Sequence, residues 1–211
     1  MKKKDFIKRW TDAVFVSENK RNVDQAFASG VPLQGLDLRG ITVGKEGPLQ
    51  LHFVSLNEKK IIETDFSYST LVCSFHSSKL SNTIFNECLL EDASFDSATL
   101  IKCSFEKAKL TACSFDDAVV KDCIFIGAKL QDRRSIAFSG LRSTFEECKF
   151  DGANLKNVEF RATKIINSSF EGTTFKNCDF RGVRFIGTAP NVEQLKNCEL
   201  TGVTLDGEAL S

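Results

Sequence analysis

The chain has 211 residues, 42% of them hydrophobic and 27% charged, and its 28 basic side chains are matched by 28 acidic ones. That length suits one domain with a substantial core, and the balance excludes a polyelectrolyte that binds nucleic acid or an acidic surface by net charge alone. No apolar run reaches the length of a membrane span, and the basic start Lys2-Lys3-Lys4 is not followed by an uninterrupted apolar segment, so no membrane partner and a cytoplasmic location are expected.

Over residues 1–30, Phe6, Trp10 and Val14 recur at helical spacing, as do Val23 and Phe27 after a cap expected at Asn19 or Asn22. This predicts one or two short amphipathic helices forming an N-terminal cap, distinct from residues 31–211. From Leu51 the pattern changes. Leu51, Leu56, Ile61, Phe66 and Leu71 are five apart, and after one four-residue step the spacing resumes at Phe75 and runs to Leu210. Of the 28 positions from 75 to 210 in steps of five, only Ser135, Gly140 and Pro190 are not hydrophobic, where chance at this composition gives about 12 hydrophobes.

Two residues before most of these centres stands a small or β-branched residue, such as Ala93, Ala108, Thr163 or Val183. Positions two apart share one face of an extended segment, so each five-residue unit sends one large and one small side chain inward and then turns a corner. Between 75 and 125 every second centre is Phe, with Leu or Val between them. An even number of sides per coil, four above all, stacks Phe on Phe, whereas three sides would set Leu90 over Phe75. Lys59 in a small-residue slot is a local break, and a single deletion at a corner accounts for the four-residue step.

All eight cysteines, Cys73, Cys88, Cys103, Cys113, Cys123, Cys148, Cys178 and Cys198, fall in the small inward slot. Cysteine there acts as a compact hydrophobe, and no metal-binding spacing is present, so no metal or cofactor is expected. Only His52 and His76 could serve as imidazole bases, and His76 points away from Cys73; the pairs Asp116-Asp117 and Glu146-Glu147 fall at solvent-facing corners. These features point away from an enzyme.

Segments such as Ala93-Ser94-Phe95-Asp96-Ser97, Ala108-Lys109-Leu110-Thr111-Ala112 and Ala153-Asn154-Leu155-Lys156-Asn157 resemble the pentapeptide-repeat proteins, over about three quarters of the chain. The resemblance implies an all-β solenoid, a right-handed quadrilateral parallel β-helix with 20 residues per turn, here of about eight coils behind a short N-terminal helical cap. At about 4.8 Å per coil the rod would be on the order of 40 Å long. It also implies two functions. One is a non-catalytic interaction module for a protein partner; the alternative is protection of a type II topoisomerase, DNA gyrase, from quinolones or gyrase poisons. Some members pair through their C-terminal coils, which makes Leu195, Leu200, Leu205 and Leu210 candidates for a homodimer end.

The surface supplies candidate contacts for a partner. The stretch 131–142 loses the repeat and rejoins it in phase, a probable loop bringing Arg133, Arg134 and Arg142 together with Ile136, Phe138 and Leu141. Residues 20 apart should stack, giving a column of Lys156, Lys176 and Lys196 beside Asn157, Asn177 and Asn197. Such a lysine column repels itself and gains from an acidic partner. Glu159, Asp179 and Glu199 near Arg161 and Arg181 should neutralise one another, and Ile126, Ile166 and Ile186 are expected in one outward stripe. The rod holds 19 basic and 22 acidic residues after position 50, too small an acidic excess for a DNA mimic. Without a sustained basic stripe or aromatic platform, direct nucleic-acid binding is not expected.

Overall fold

The computed structural model of the chain describes residues 2–43 and 55–210. Leu51, His52 and the side chain of Phe27 lie outside the described residues. Helix α1 (Lys3–Lys8), a 3-10 turn (Arg9–Thr11) and helix α2 (Ala13–Ser29) precede the first strand at Leu33–Gln34. Phe6, Trp10 and Val23 are buried as their spacing predicts, but Val14 is 67% exposed. The reason is Asp12, which leaves the helical conformation and caps α2 by accepting the Phe15 N–H at 2.9 Å. The cap expected at Asn19 or Asn22 is therefore corrected, since α2 runs through both.

The remainder winds into a four-sided parallel β-solenoid of about seven turns, against about eight expected from chain length alone. Side 1 carries the centres Ile61, Leu80, Leu100, Val120, Phe145, Ile165 and Phe185 in one sheet. Side 3 carries Leu71, Leu90, Leu110, Leu130, Leu155 and Phe175 in a second. Sides 2 and 4 are joined mostly by single bridges, with one two-residue ladder between Phe138–Ser139 and Val158–Glu159 on side 4, and hold most of the phenylalanines. Phe66, Phe85, Phe105, Phe125, Phe150 and Phe170 stack down side 2 with centroids 4.9–5.4 Å apart and planes within 9° of parallel. Phe75, Phe95 and Phe115 stack on side 4 at 4.7 and 4.6 Å, with planes 3° and 21° from parallel. The alternation of Phe and Leu along the chain is thus the alternation of two kinds of side.

Each corner is made by one residue with positive φ, recurring every five positions through Asn82, Glu87, Asp92, Ser97 and Lys102. The left-handed region turns the chain while keeping both neighbours extended. Between Tyr68 and Ser77 the interval is nine, and no such residue occurs. The four-residue step before Phe75 is therefore a missing corner residue, and Leu71 is set opposite Leu90, 19 positions away.

The stretch 131–142 is an insertion of one unit length. Gln131 still aligns with Thr111, but Ser139 bridges Ser114, 25 positions back, which explains why the pattern rejoins in phase. Arg133 and Ile136 exchange backbone hydrogen bonds at 2.9 Å around Arg134 and Ser135, both with positive φ, so the extra residues form a tight hairpin. Beyond it the usual order of sizes is reversed: Phe138 aligns with Val158 in a small-residue slot, and Gly140 falls at a centre. Phe138 is fully buried against Phe115 and Phe160, at 5.4 and 6.0 Å. Gly140 must be small, because a Cβ there would lie 2.7 Å from the Phe160 ring. Pro190 breaks the second regular stretch. Having no N–H for the ladder, it is followed by the single-turn helix α3 (Val192–Leu195), which sets Leu195 over side 3.

Both ends are covered in part. Trp10 Nε1 donates to the Arg39 carbonyl at 2.8 Å, and Arg9 grips the Asp37 carboxylate at 2.7 and 2.8 Å. Arg39 stacks over the Phe6 ring at 4.1 Å and pairs with Asp37 as well. At the other end the chain reverses at Asp206-Gly207, and Glu208–Ala209 pairs antiparallel with Thr204–Leu205.

Candidate functional site

The outward residues of side 3 come from strand positions flanking buried leucines, where alternation forces them into solvent. Lys109 aligns with Lys129, and Lys156 with Lys176, on successive coils of one flat sheet. All four are exposed, and among the described residues none has an ion-pair partner. Stacked ammonium groups one coil apart repel one another, and the acidic residue of this sheet, Glu91 on the strand beside Lys109, is engaged by Arg133. Lys109 and Lys129 precede their buried centres whereas Lys156 and Lys176 follow theirs, so the four make two separate pairs; across the insertion Lys129 aligns with Asn154, and Gln131 with Lys156.

Lys196 is exposed but does not extend the column, because it is the C-cap of α3 and not a strand residue. Asn157 and Asn177 occupy left-handed corners, and no side-chain hydrogen bond joins them among the described residues. Ile166 and Ile186 are neighbours on side 1, but Ile126 is on side 2 beside Asp151, again displaced by the insertion. The self-neutralising cluster on side 4 is present: Arg161 reaches Glu159 at 2.9 Å and Asp179 at 3.6 Å, and Arg181 reaches Asp179 at 2.6 Å.

The hairpin lies along the corner between sides 3 and 4. Arg133 reaches back two coils to Glu91 at 3.3 Å and to Asp92. To do so it crosses Thr111 and Ala112, which are buried although their positions face outward. Arg142 forms a two-pronged pair with Asp117, at 2.8 and 2.7 Å, and this guanidinium lowers the Asp117 pKa. Of the candidate contacts here, Phe138 is core and cannot meet a partner, and Leu141 is half-buried. Arg134 and Ile136 form the exposed tip, Ile136 at 58%. At the C-terminal end Leu195 is buried beneath its own helix, whereas Leu200, Leu205 and Leu210 are half-buried.

The thiols have the character of core groups. Burial pushes Cys73, Cys88 and Cys148 up to about 12, so they are protonated at neutral pH. Cys103 and Cys198 differ: the neighbouring Cys123 thiol lowers the first, and the Cys178 thiol of the coil below lowers the second to about 7. Among the described residues no group of histidine, cysteine or carboxylate side chains could hold a metal ion, and no helix is long and apolar enough to cross a membrane.

A four-sided solenoid of five-residue units with phenylalanine-stacked sides defines a class by geometry. The profile for the pentapeptide repeat region matches residues 141–211, and that for pentapeptide repeats in eight copies matches residues 73–111; the chain belongs to the pentapeptide-repeat family. Comparison with curated protein sequences gives no match. Among solved structures, a trypsin-treated form of QnrB1, described as a plasmid-mediated fluoroquinolone resistance protein, superposes with a TM-score of 0.50 at 15% identity, over 82% of this chain and 91% of that one. HetL from the cyanobacterium Nostoc, a pentapeptide-repeat protein involved in heterocyst differentiation regulation, gives 0.46 at 15% identity, over 86% and 90%. At these identities the likeness is one of fold.

Proposed function

We propose that the rod is a non-catalytic docking module that binds an acidic protein partner through side 3. The observation that carries this reading is the group Lys109, Lys129, Lys156 and Lys176, four exposed ammonium groups on one flat sheet that make no ion pair among the described residues. The hairpin tip, Arg134 and Ile136, stands at the edge of this face and adds an apolar contact. A rigid sheet loses little conformational freedom on association, so a modest set of charge contacts suffices for binding. The test is affinity capture with the wild-type chain and with all four lysines changed to serine. The reading expects an acidic protein held by the first and lost by the second, and it is wrong if retention is equal.

The alternative raised by the family is topoisomerase protection. Quinolone rescue of DNA gyrase at near-stoichiometric protein would establish it, but a DNA-like surface needs free negative charge. Here Asp92, Asp117, Glu146, Glu159 and Asp179 are each held by a basic side chain. Self-association through Leu200, Leu205 and Leu210 is a separate proposal, read directly by sedimentation at micromolar concentration.

A further inference from the structure

Side 2 is built by a repeated donation. The N–H groups of Phe66, Phe85, Phe105, Phe125 and Phe150 each donate to a carbonyl of the next coil, at 2.7–2.9 Å. The corner residues two positions on do the same: Gly127 donates to Asp151 and Gly152 to Glu171, at 3.0 and 2.7 Å. At the next coil both donations stop. The chain that should supply the acceptors carries Pro190 at its centre and turns into α3, and among the described residues the N–H groups of Phe170 and Gly172 have no acceptor.

The acceptors on the same edge are not left open. Thr188 Oγ1 donates to the Ser168 carbonyl at 2.6 Å, and Gln194 Nε2 to the Phe170 and Thr173 carbonyls at 3.1 and 2.9 Å. Phe170 is also the most exposed phenylalanine of its stack, at 7%. A groove of about 430 Å³ lies over it, bounded by Thr188, Pro190 and Gln194.

We propose that this notch is a binding site for an extended peptide segment of a partner protein, which completes the missing rung. Two donors two residues apart at the approach to a corner are separated by up to about 6–7 Å, wider than one carboxylate spans. They match an extended chain that offers carbonyls at alternate residues, as Ser169 and Glu171 do for the coil before. Because the acceptors are occupied, the guest contributes carbonyls and needs few donors. This deepens the docking reading only in taking a protein as ligand, since it uses no residue of side 3.

The experiment is backbone amide hydrogen exchange on the full chain, with and without the acetylated, amidated hexapeptide of residues 167–172, which has the sequence of a natural rung. In the free protein the Phe170 and Gly172 amides should exchange about 100-fold faster than those of Phe150 and Gly152. Millimolar peptide should slow both about tenfold. Pro190→Val restores a donor and an extended centre, so it should protect both amides without peptide and abolish the peptide effect. The four-lysine serine variant should bind the peptide normally, which separates a failure here from a failure of the docking face. Slow exchange in the free protein, no protection at millimolar peptide, or protection that rises with protein concentration alone would each overturn the proposal, the last by showing a second copy in the notch.

Discussion

The coils between Phe75 and Leu130 and those after Gln131 are made from the same five-residue unit, yet they differ in what they leave available. In the first region every centre is buried, the phenylalanines stack in register and each side-2 phenylalanine N–H finds its carbonyl one coil on. The second region inverts a large and a small residue at Phe138 and Gly140, replaces a strand with α3 and leaves the Phe170 and Gly172 donors without an acceptor among the described residues. A solenoid that repeats without error satisfies its own backbone, so distinctive chemistry collects at departures from the repeat and in the outward columns the repeat does not constrain.

The inverted pair gives the sharpest way to break that comparison. Phe138→Ala should cost about 3–5 kcal/mol in denaturant unfolding, and Gly140→Phe alone should fold poorly against Phe160. The double change Phe138→Ala/Gly140→Phe restores the ordinary order of sizes and should recover most of the loss; strict additivity would show that the two positions do not share one space.

At the N-terminal end, Gly40 has φ +76, and a Cβ there would meet the Phe6 backbone at 2.7 Å. Gly40→Ala should therefore destabilise docking of α1 by roughly 2 kcal/mol, seen as a red shift of Trp10 fluorescence while the β-sheet signal persists.

Acid should act on the same joint. Burial pushes Asp37 up, but hydrogen bonds from Arg39 and Arg9 outweigh it and hold the carboxyl well below the usual range. A depressed folded value means the contribution is present above the unfolded carboxylate value and lost as pH falls through the folded one. Trp10 should thus become solvent-exposed only below about pH 4, and Asp37→Asn should weaken this acid dependence.

The smallest effect belongs to the corners, where Ala162 holds φ +57 in the regular scaffold. Ala162→Gly relieves that conformation and should change unfolding stability by no more than about 1 kcal/mol, in the stabilising direction.

The four-sided core was legible because burial repeats: every fifth hydrophobe, the Phe and Leu alternation and the missing corner before Phe75 can be read from spacing alone. The insertion was visible but not its form. Five extra residues preserve the phase, so Phe138 reads as a loop residue and Ile126 falls in the wrong column. Asp12 was missed as a cap because the hydrophobic spacing from Phe6 to Val14 continues across it. Open backbone donors at Phe170 and Gly172 leave no mark in side-chain pattern beyond Pro190, whose consequence depends on the coil below.

The central claim, that side 3 is the docking face, is tested most directly by a lysine acetylation footprint of the captured complex. The account predicts that the partner slows modification of Lys109, Lys129, Lys156 and Lys176 while the exposed lysines of side 1, Lys60, Lys79 and Lys164, react as in the free chain. Protection of the side-1 lysines with side 3 unaffected would contradict it.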